Sequence, residues 1–443
     1  MRKKVKFCAA ALILISPILP ARISSAQALT VSATGTTPAI CNQNVDNTSS
    51  VTAERLSGGD CLIEFKRAGT TIWTAPAISG QARVLVLGGG GGGGAHVGSG
   101  GGAGGLVDSS TATFTSGASV SITVGDGGVG GSLTGTGCSN PAAGGITGEL
   151  RSGTGNYCND SSNATRSSDG GFSRINGGGT FITALGGGGG GNWNYFYPHS
   201  GGSGAGNSHN TTTVGAGTTG QGFSGGAYVT TYGAGGGGGA GGAGGTGSNN
   251  QGGTGGTGLT ITGLGNSRNL AGGGGGGTHD TSNGGNASFG GGAGSGSTAV
   301  KAASGSANTC GGGGGTGNTS AGRSYGGDGG SGIVLIRYTP FIAAAISAPS
   351  VSGNLYKGIA TDLVVTVSGP GKVRFFQDGK KIANCLSIAT TGSYPNYTAT
   401  CRWKPTVSSR HSISAAFTSS DVSFESGSSV QVFFWVLKRT TTR

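Results

Sequence analysis

Five uninterrupted glycine runs, at residues 88–94, 186–191, 235–239, 272–277 and 311–315, constrain this chain more than any other feature. Glycine loses more conformational freedom on folding than any other residue. A run of it folds only where the missing side chain is itself useful. One ordered form is the extended threefold helix, with three residues per turn and about 3.1 Å of rise. A seven-residue run would then span about 22 Å. Such a helix has no internal hydrogen bonds, so its N–H and C=O groups must pair with neighbouring helices, with Cα–H contacts adding to the packing. Ordering costs about 1–2 kcal/mol per residue, and each backbone bond returns about 1 kcal/mol net. A glycine bundle is therefore expected to need nearly complete pairing, plus hydrophobic burial from strands, with disorder as the alternative.

The local sequence supplies such strands. Of 103 glycines in 443 residues, 91 lie between Gln81 and Pro340. There is no Gly-X-Y period and only 11 Pro, which excludes collagen. Apolar pieces enter or separate the runs: "LIEF", "RVLVL", "ASVSITVGDGG", "FITALGGGGGG", "GAYVTTYGAGGGGG" and "LTITGLG". The region closes on "GGDGGSGIVLIRY". A flexible Gly/Ser linker would not be bracketed by strands in this way.

Residues 1–28 read as a secretory signal peptide. Arg2, Lys3, Lys4 and Lys6 precede the apolar "FCAAALILISPILPA", and Ala26-Gln27-Ala28 is a small-residue cleavage site. Localisation is therefore expected to be secreted, extracellular or envelope-associated, with no integral membrane span in the mature chain. The formal charge of +12 includes five Lys/Arg from the signal. Residues 29–345 balance eleven basic against eleven acidic groups, and residues 346–443 hold eleven basic against four acidic. That basic excess reads as a solvated face, with a preference for acidic envelope polymers as the alternative. No nucleic-acid partner is expected.

Cys41 and Cys61, Cys138 and Cys158, and Cys385 and Cys401 are spaced as short loops, and an exported chain makes disulfides the natural reading. The pairing is not deducible from sequence, and Cys310 is left over. No Cys-x-x-Cys or Cys/His spacing supports zinc, so no metal or cofactor is expected. "GFSGG" at 222–226 matches a nucleophile-elbow pattern, but chance produces it in a glycine-rich segment and no helix follows. The five His are scattered and no carboxylate pair stands out, so no catalytic residues and no enzyme activity are expected. One loop breaks the pattern. "GGGGGGNWNYFYPHSGGSG" gathers Trp193, Tyr195, Phe196, Tyr197 and His199 between glycine stretches. These are the candidate ligand-binding residues, with capping of the glycine layer as the competing role.

"IWTAPAISGQARVLVLGGGGGGG", the repeated runs and the closing "GGDGGSGIVLIRY" resemble the glycine-rich domain of bacterial surface proteins and the glycine-rich tips of phage tail-fibre adhesins, over residues 62–338. The resemblance implies packed polyglycine II helices with variable recognition loops at one end. Residues 346–437 resemble a bacterial immunoglobulin-like repeat, through "LVVTVS", "KVRFFQDGKKI", "YTATCRW", "HSISAAF" and "SVQVFFWV". Trp403 and Trp435 are read as core residues there, and Cys385–Cys401 as a bridge between neighbouring strands. The expected fold is mainly β, a polyglycine II/β bundle followed by an immunoglobulin-like sandwich. The expected organisation is signal (1–28), lead-in (29–60), glycine-rich domain (61–340), immunoglobulin-like domain (346–437) and basic tail (438–443). The expected function is a non-enzymatic adhesin-like protein whose partners are envelope glycans or surface proteins. A structural spacer or matrix component is the alternative.

Overall fold

The computed structural model describes residues 29–31, 41, 50–133, 158–159, 164–193, 197–209, 213–228, 232–279, 283–297, 299–318, 324–421 and 423–438. Among these the fold is nearly all β, and the only helical element is one 3-10 turn, Ala383–Cys385.

Two five-stranded sheets form the base. One orders the strands Leu29–Val31, Gly69–Thr74, Ser119–Val124, Ser173–Gly177 and Thr180–Ala184. The other orders Val51–Arg55, Cys61–Phe65, Ile333–Tyr338, Ala82–Leu87 and Leu106–Ala112. Between them lie Ile63, Phe65, Trp73, Val84, Val86, Val120, Ile122, Ile175, Val334 and Ile336. The continuous apolar runs "RVLVL" and "IVLI" have a direct cause. Leu62, Leu85, Leu87, Ile333 and Leu335 face the opposite way and are covered by Ile261, Leu264 and Leu270 of the hairpin Leu259–Ile261/Arg268–Leu270. A strand buried on both faces loses its alternation. Glu64, on the same central sheet, is buried and held by Lys66 at 2.7 Å and by Arg268.

Strands continue directly into glycine. Ala82–Leu87 becomes the run 88–94, whose seven N–H groups repeat with period three. Gly88, Gly91 and Gly94 donate to Gly105, Gly102 and Ser99; Gly89 and Gly92 donate to Gly171 and Ser168; Gly90 and Gly93 donate to Gly330 and Gly327, all at 2.8–3.0 Å. The partner numbers fall as the run's numbers rise, so these three neighbours are antiparallel. The carbonyls of the run accept from three parallel neighbours: Gly187 and Gly190 on Gly89 and Gly92, Gly128 and Gly131 on Gly90 and Gly93, and Gly313 and Thr316 on Gly91 and Gly94. One run thus sits among six others and uses every amide. None of residues 88–94 has positive φ. Glycine is needed here for its missing Cβ: a methyl on Gly91 would collide with the Gly188 carbonyl, and one on Gly93 with the Gly314 carbonyl. "GAYVTTY" forms no strand at its described residues, Gly226, Ala227, Tyr228 and Tyr232. It serves the glycine packing instead, with Gly226 donating to Gly236 at 2.7 Å.

Residues 350–437 build a second two-sheet sandwich. Ser350–Val351, Thr361–Val367, Asn396–Trp403 and Thr391–Ser393 make one layer; Leu355–Tyr356, Val432–Leu437, Arg410–Ser419, Gly371–Gln377 and Lys380–Lys381 make the spine of the other. Leu363, Val365, Val373, Phe375, Trp403, Ile413 and Phe417 fill the space between. Trp435 is not among them: it is 68% exposed, which overturns its reading as core. The alternation in "VQVFFWVL" runs opposite to that reading, with Val432, Phe434 and Val436 turned inward. Arg55 joins the two units through Asp421 at 2.7 Å.

Among the described residues two disulfides are present, Cys41–Cys61 and Cys385–Cys401. Loops of these lengths stabilise by about 3 kcal/mol each in the chain-entropy description. Cys385–Cys401 does not link neighbouring strands. Cys385 lies on the 3-10 turn between two strands of the larger sheet, and Cys401 lies on the smaller one, so the bridge spans the layers. Cys138 lies outside the described residues, and with it the Cys138–Cys158 pairing. Cys310 is buried and free, its thiol pushed up by desolvation.

Replacing Gly91 by Ala is expected to cost about 3 kcal/mol or more, because backbone rather than a flexible side chain meets the new methyl. Gly58→Ala, with nothing within 4 Å of its Cβ position, is expected to stay within about 0.5 kcal/mol. Thermal melts of the two variants check this, and equal melting temperatures would contradict it.

Candidate functional site

The direction of the runs decides where their loops meet. Gly187 and Gly190 bond to Gly89 and Gly92, Gly313 and Thr316 to Gly91 and Gly94, and Gly312 and Gly315 to Gly272 and Gly275. Runs 88–94, 186–191, 272–277 and 311–315 are therefore all parallel, and their last residues share the end remote from the base sandwich. Run 235–239 points the other way, with Ala234 and Gly237 donating to Gly277 and Gly274. Its preceding residues arrive at the same end.

There the chain places rings. Two residues past a run's last glycine stand His96, Trp193 and His279, while Tyr232 precedes run 235–239 and His209 ends the stretch 203–208. These five converge. Trp193 stacks on His209 with centroids 3.8 Å apart and planes 2° from parallel. It also meets Tyr232 at 5.6 Å and 14°, His96 at 5.9 Å and 25°, and His279 at 5.9 Å. Tyr232 and His279 are 4.7 Å apart, and Tyr228 sets its edge on His209 at 5.3 Å. Backbone bonds lock the loops: Trp193 N–H donates to the His96 carbonyl at 3.2 Å, His279 N–H to the Tyr232 carbonyl at 3.3 Å, and His96 N–H to Ser324 Oγ at 3.0 Å. Asn318 Nδ2 lies 3.0 Å from His279 Nε2.

The electrostatics follow from burial. His96 is held below its ordinary pKa by desolvation and then by the neighbouring His279; His209 is lowered by desolvation. The Tyr228 hydroxyl is pushed up by desolvation. His96 Nδ1 is buried without a hydrogen-bond partner among the described residues. At neutral pH the lowered pKa values of His96 and His209 favour their uncharged rings, which present stacking faces. Among the described residues no group of three His, Cys, Asp or Glu side chains is placed to hold a metal ion.

The expected recognition residues divide. Trp193 is the centre of the stack and half-buried. Tyr197 is 64% exposed. His199 belongs to another network, with Nδ1 2.7 Å from Asp169 Oδ1 and its N–H on the Gly189 carbonyl. Tyr195 and Phe196 lie outside the described residues. Sequence reasoning missed His96, His209 and His279 because it sought paired spacing along the chain. The usable signal was their equivalent position after glycine stretches of one direction. Ser224 of "GFSGG" lies in an extended loop, and among the described residues no α-helix follows it.

Taken together, a β-sandwich extended by hydrogen-bonded glycine runs, whose far ends meet in converging loops, defines a glycine-rich β protein. The glycine-rich domain family matches residues 66–339, and the chain belongs to that family. Comparison with curated proteins returns no match. Among the described residues no helix is long and apolar enough to cross a membrane.

The depressed pKa values of His96 and His209 give the cluster a pH dependence of definite sign. Their neutral forms are favoured in the folded state. The stability they contribute is complete above the ordinary imidazole pKa of about 6.5 and is lost as pH falls through the lower folded values. The Trp193 fluorescence, isolated by difference against Trp193→Phe, should change between pH 7 and pH 4.5. The double variant His96→Asn/His209→Asn should reduce that change, and an unchanged response would contradict the assignment.

Proposed function

We propose that this chain is a secreted or cell-surface, non-enzymatic adhesin-like protein. In this reading the glycine runs are polyglycine II rods, the base sandwich anchors them, and the far end presents recognition loops to envelope glycans or surface proteins. The C-terminal sandwich is an immunoglobulin-like module that carries the rod domain. The observation that carries the reading is the convergence of His96, Trp193, His209, Tyr232 and His279 from five separate connections at the rods' free end. Rigid rods pre-organise loops, which lowers the entropy lost on binding. Rings with few rotors and polar tips bring contact area at low entropic cost. The period-three hydrogen bonding along run 88–94 supports the rod assignment, and the two disulfides suit an oxidising compartment.

Binding of the full chain to purified bacterial envelope polysaccharide and to whole cells tests the reading. Tyr197→Ala, at an exposed position, and Trp193→Ala together should weaken binding at least tenfold while the melting temperature moves only a few degrees. A large fall in melting temperature with Trp193→Ala, and full binding by Tyr197→Ala, would make the cluster a cap of the rods. Full binding with unchanged stability would assign the chain to the structural-spacer class.

A further inference from the structure

The C-terminal sandwich carries an exposed face that the rod-end site does not use. In the strand Val432–Leu437, Phe433 is 53%, Trp435 68% and Leu437 46% exposed. All three lie on the outer side of the larger sheet. Register extends this face across the sheet. Trp435 pairs with Arg410, Ser414 with Phe376, Ala416 with Arg374, Thr418 with Lys372, and Phe376 with Lys381. Paired residues share a face, and residues two apart along a strand share it too. The outer face therefore presents Phe433 and Trp435 about 7 Å apart. Arg410 lies beside them on the adjacent strand; Lys381, Arg374 and Lys372 follow on the strands beyond it, Lys372 set against Thr418, eight residues along from Arg410 and about 27 Å away. Arg410 already packs its guanidinium over Phe433, 4.1 Å from the ring centroid. Asp378, on the hairpin turn beside this face, is bound by His411 at 2.7 Å and by the Ser412 N–H at 2.8 Å. The residues from 346 onward also hold the whole positive excess of the mature chain.

We infer that this face binds an anionic polysaccharide, a sugar ring stacked on Trp435 and its carboxylates paired with Arg410, which lies over Phe433, and further along the polymer with Lys381, Arg374 and Lys372. Exposed aromatics beside cations on a flat surface suit a polymer that alternates apolar ring faces with negative groups. The charge argues against a second copy of the chain, since a symmetric contact would set Arg410 and the basic residues beyond it against themselves. The flatness argues against a membrane, because the rings stand on a sheet and do not project from a tip that could enter the headgroup layer.

The test uses the full chain and polygalacturonate oligomers as probe, with maltooligosaccharides of equal length as the neutral control. Polygalacturonate should bind in a salt-dependent manner and the neutral oligomers at least tenfold more weakly. Trp435→Ala should weaken polygalacturonate binding at least tenfold, and Arg410→Gln/Lys372→Gln should flatten the salt dependence, with melting temperatures within a few degrees of the parent. Trp193→Ala should leave this binding unchanged, which separates the inference from the rod-end reading. Equal binding by Trp435→Ala would overturn the inference. So would equal affinity for the neutral oligomers, preference for anionic lipid vesicles or single-stranded DNA, or a parent dimer that Trp435→Ala converts to monomer.

Discussion

Bare backbone packed against bare backbone is the interaction on which the rest of this protein depends. In run 88–94 each amide donates to one of three antiparallel neighbours and each carbonyl from Gly89 to Gly94 accepts from one of three parallel ones. That arrangement tolerates no side chain, because the space a Cβ would occupy already holds a neighbouring carbonyl. The glycine content is thus a steric requirement, and its entropic disadvantage is offset only by satisfying almost every polar group.

Hydrogen bonds alone would not hold such a lattice, since their net contribution per residue falls short of the ordering entropy. The sandwich at the base supplies what glycine cannot. Its core, built on Trp73, Phe65, Val84, Ile122, Ile175 and Ile336, is ordinary hydrophobic burial. Its strands set the starting points and directions of the runs. Ala82–Leu87 leads into 88–94, Ser119–Val124 into 125–131, and Thr180–Ala184 into 186–191. Strand direction becomes rod direction, and rod direction decides which loops meet.

The geometry of the ring cluster follows from that. Parallel rods bring His96, Trp193 and His279 to a common end, although 183 residues separate the first from the last. The stack around Trp193 uses residues that no linear motif unites. The C-terminal sandwich contributes a second surface of different chemistry, aromatic and basic where the far end of the runs is a stack of aromatic and imidazole rings. The two surfaces belong to units joined through Arg55 and Asp421.

Much of the fold was legible in the sequence. The apolar pieces bracketing the glycine marked strands because period and flanking glycine leave a short apolar run few alternatives. The separations of Cys41 from Cys61 and of Cys385 from Cys401 matched the bridges that form. What lay beyond the sequence was every property set by long-range neighbours. Trp435 could not be told from a core residue, since one strand's alternation does not say which phase faces in. The layer-spanning position of Cys385 depended on a turn that leaves the larger sheet. The histidine cluster depended on the relative direction of rods far apart in sequence. A glycine run carries no side-chain pattern, so its own sequence can declare that it packs closely but not against what; only the tertiary arrangement of the strands feeding it decides that.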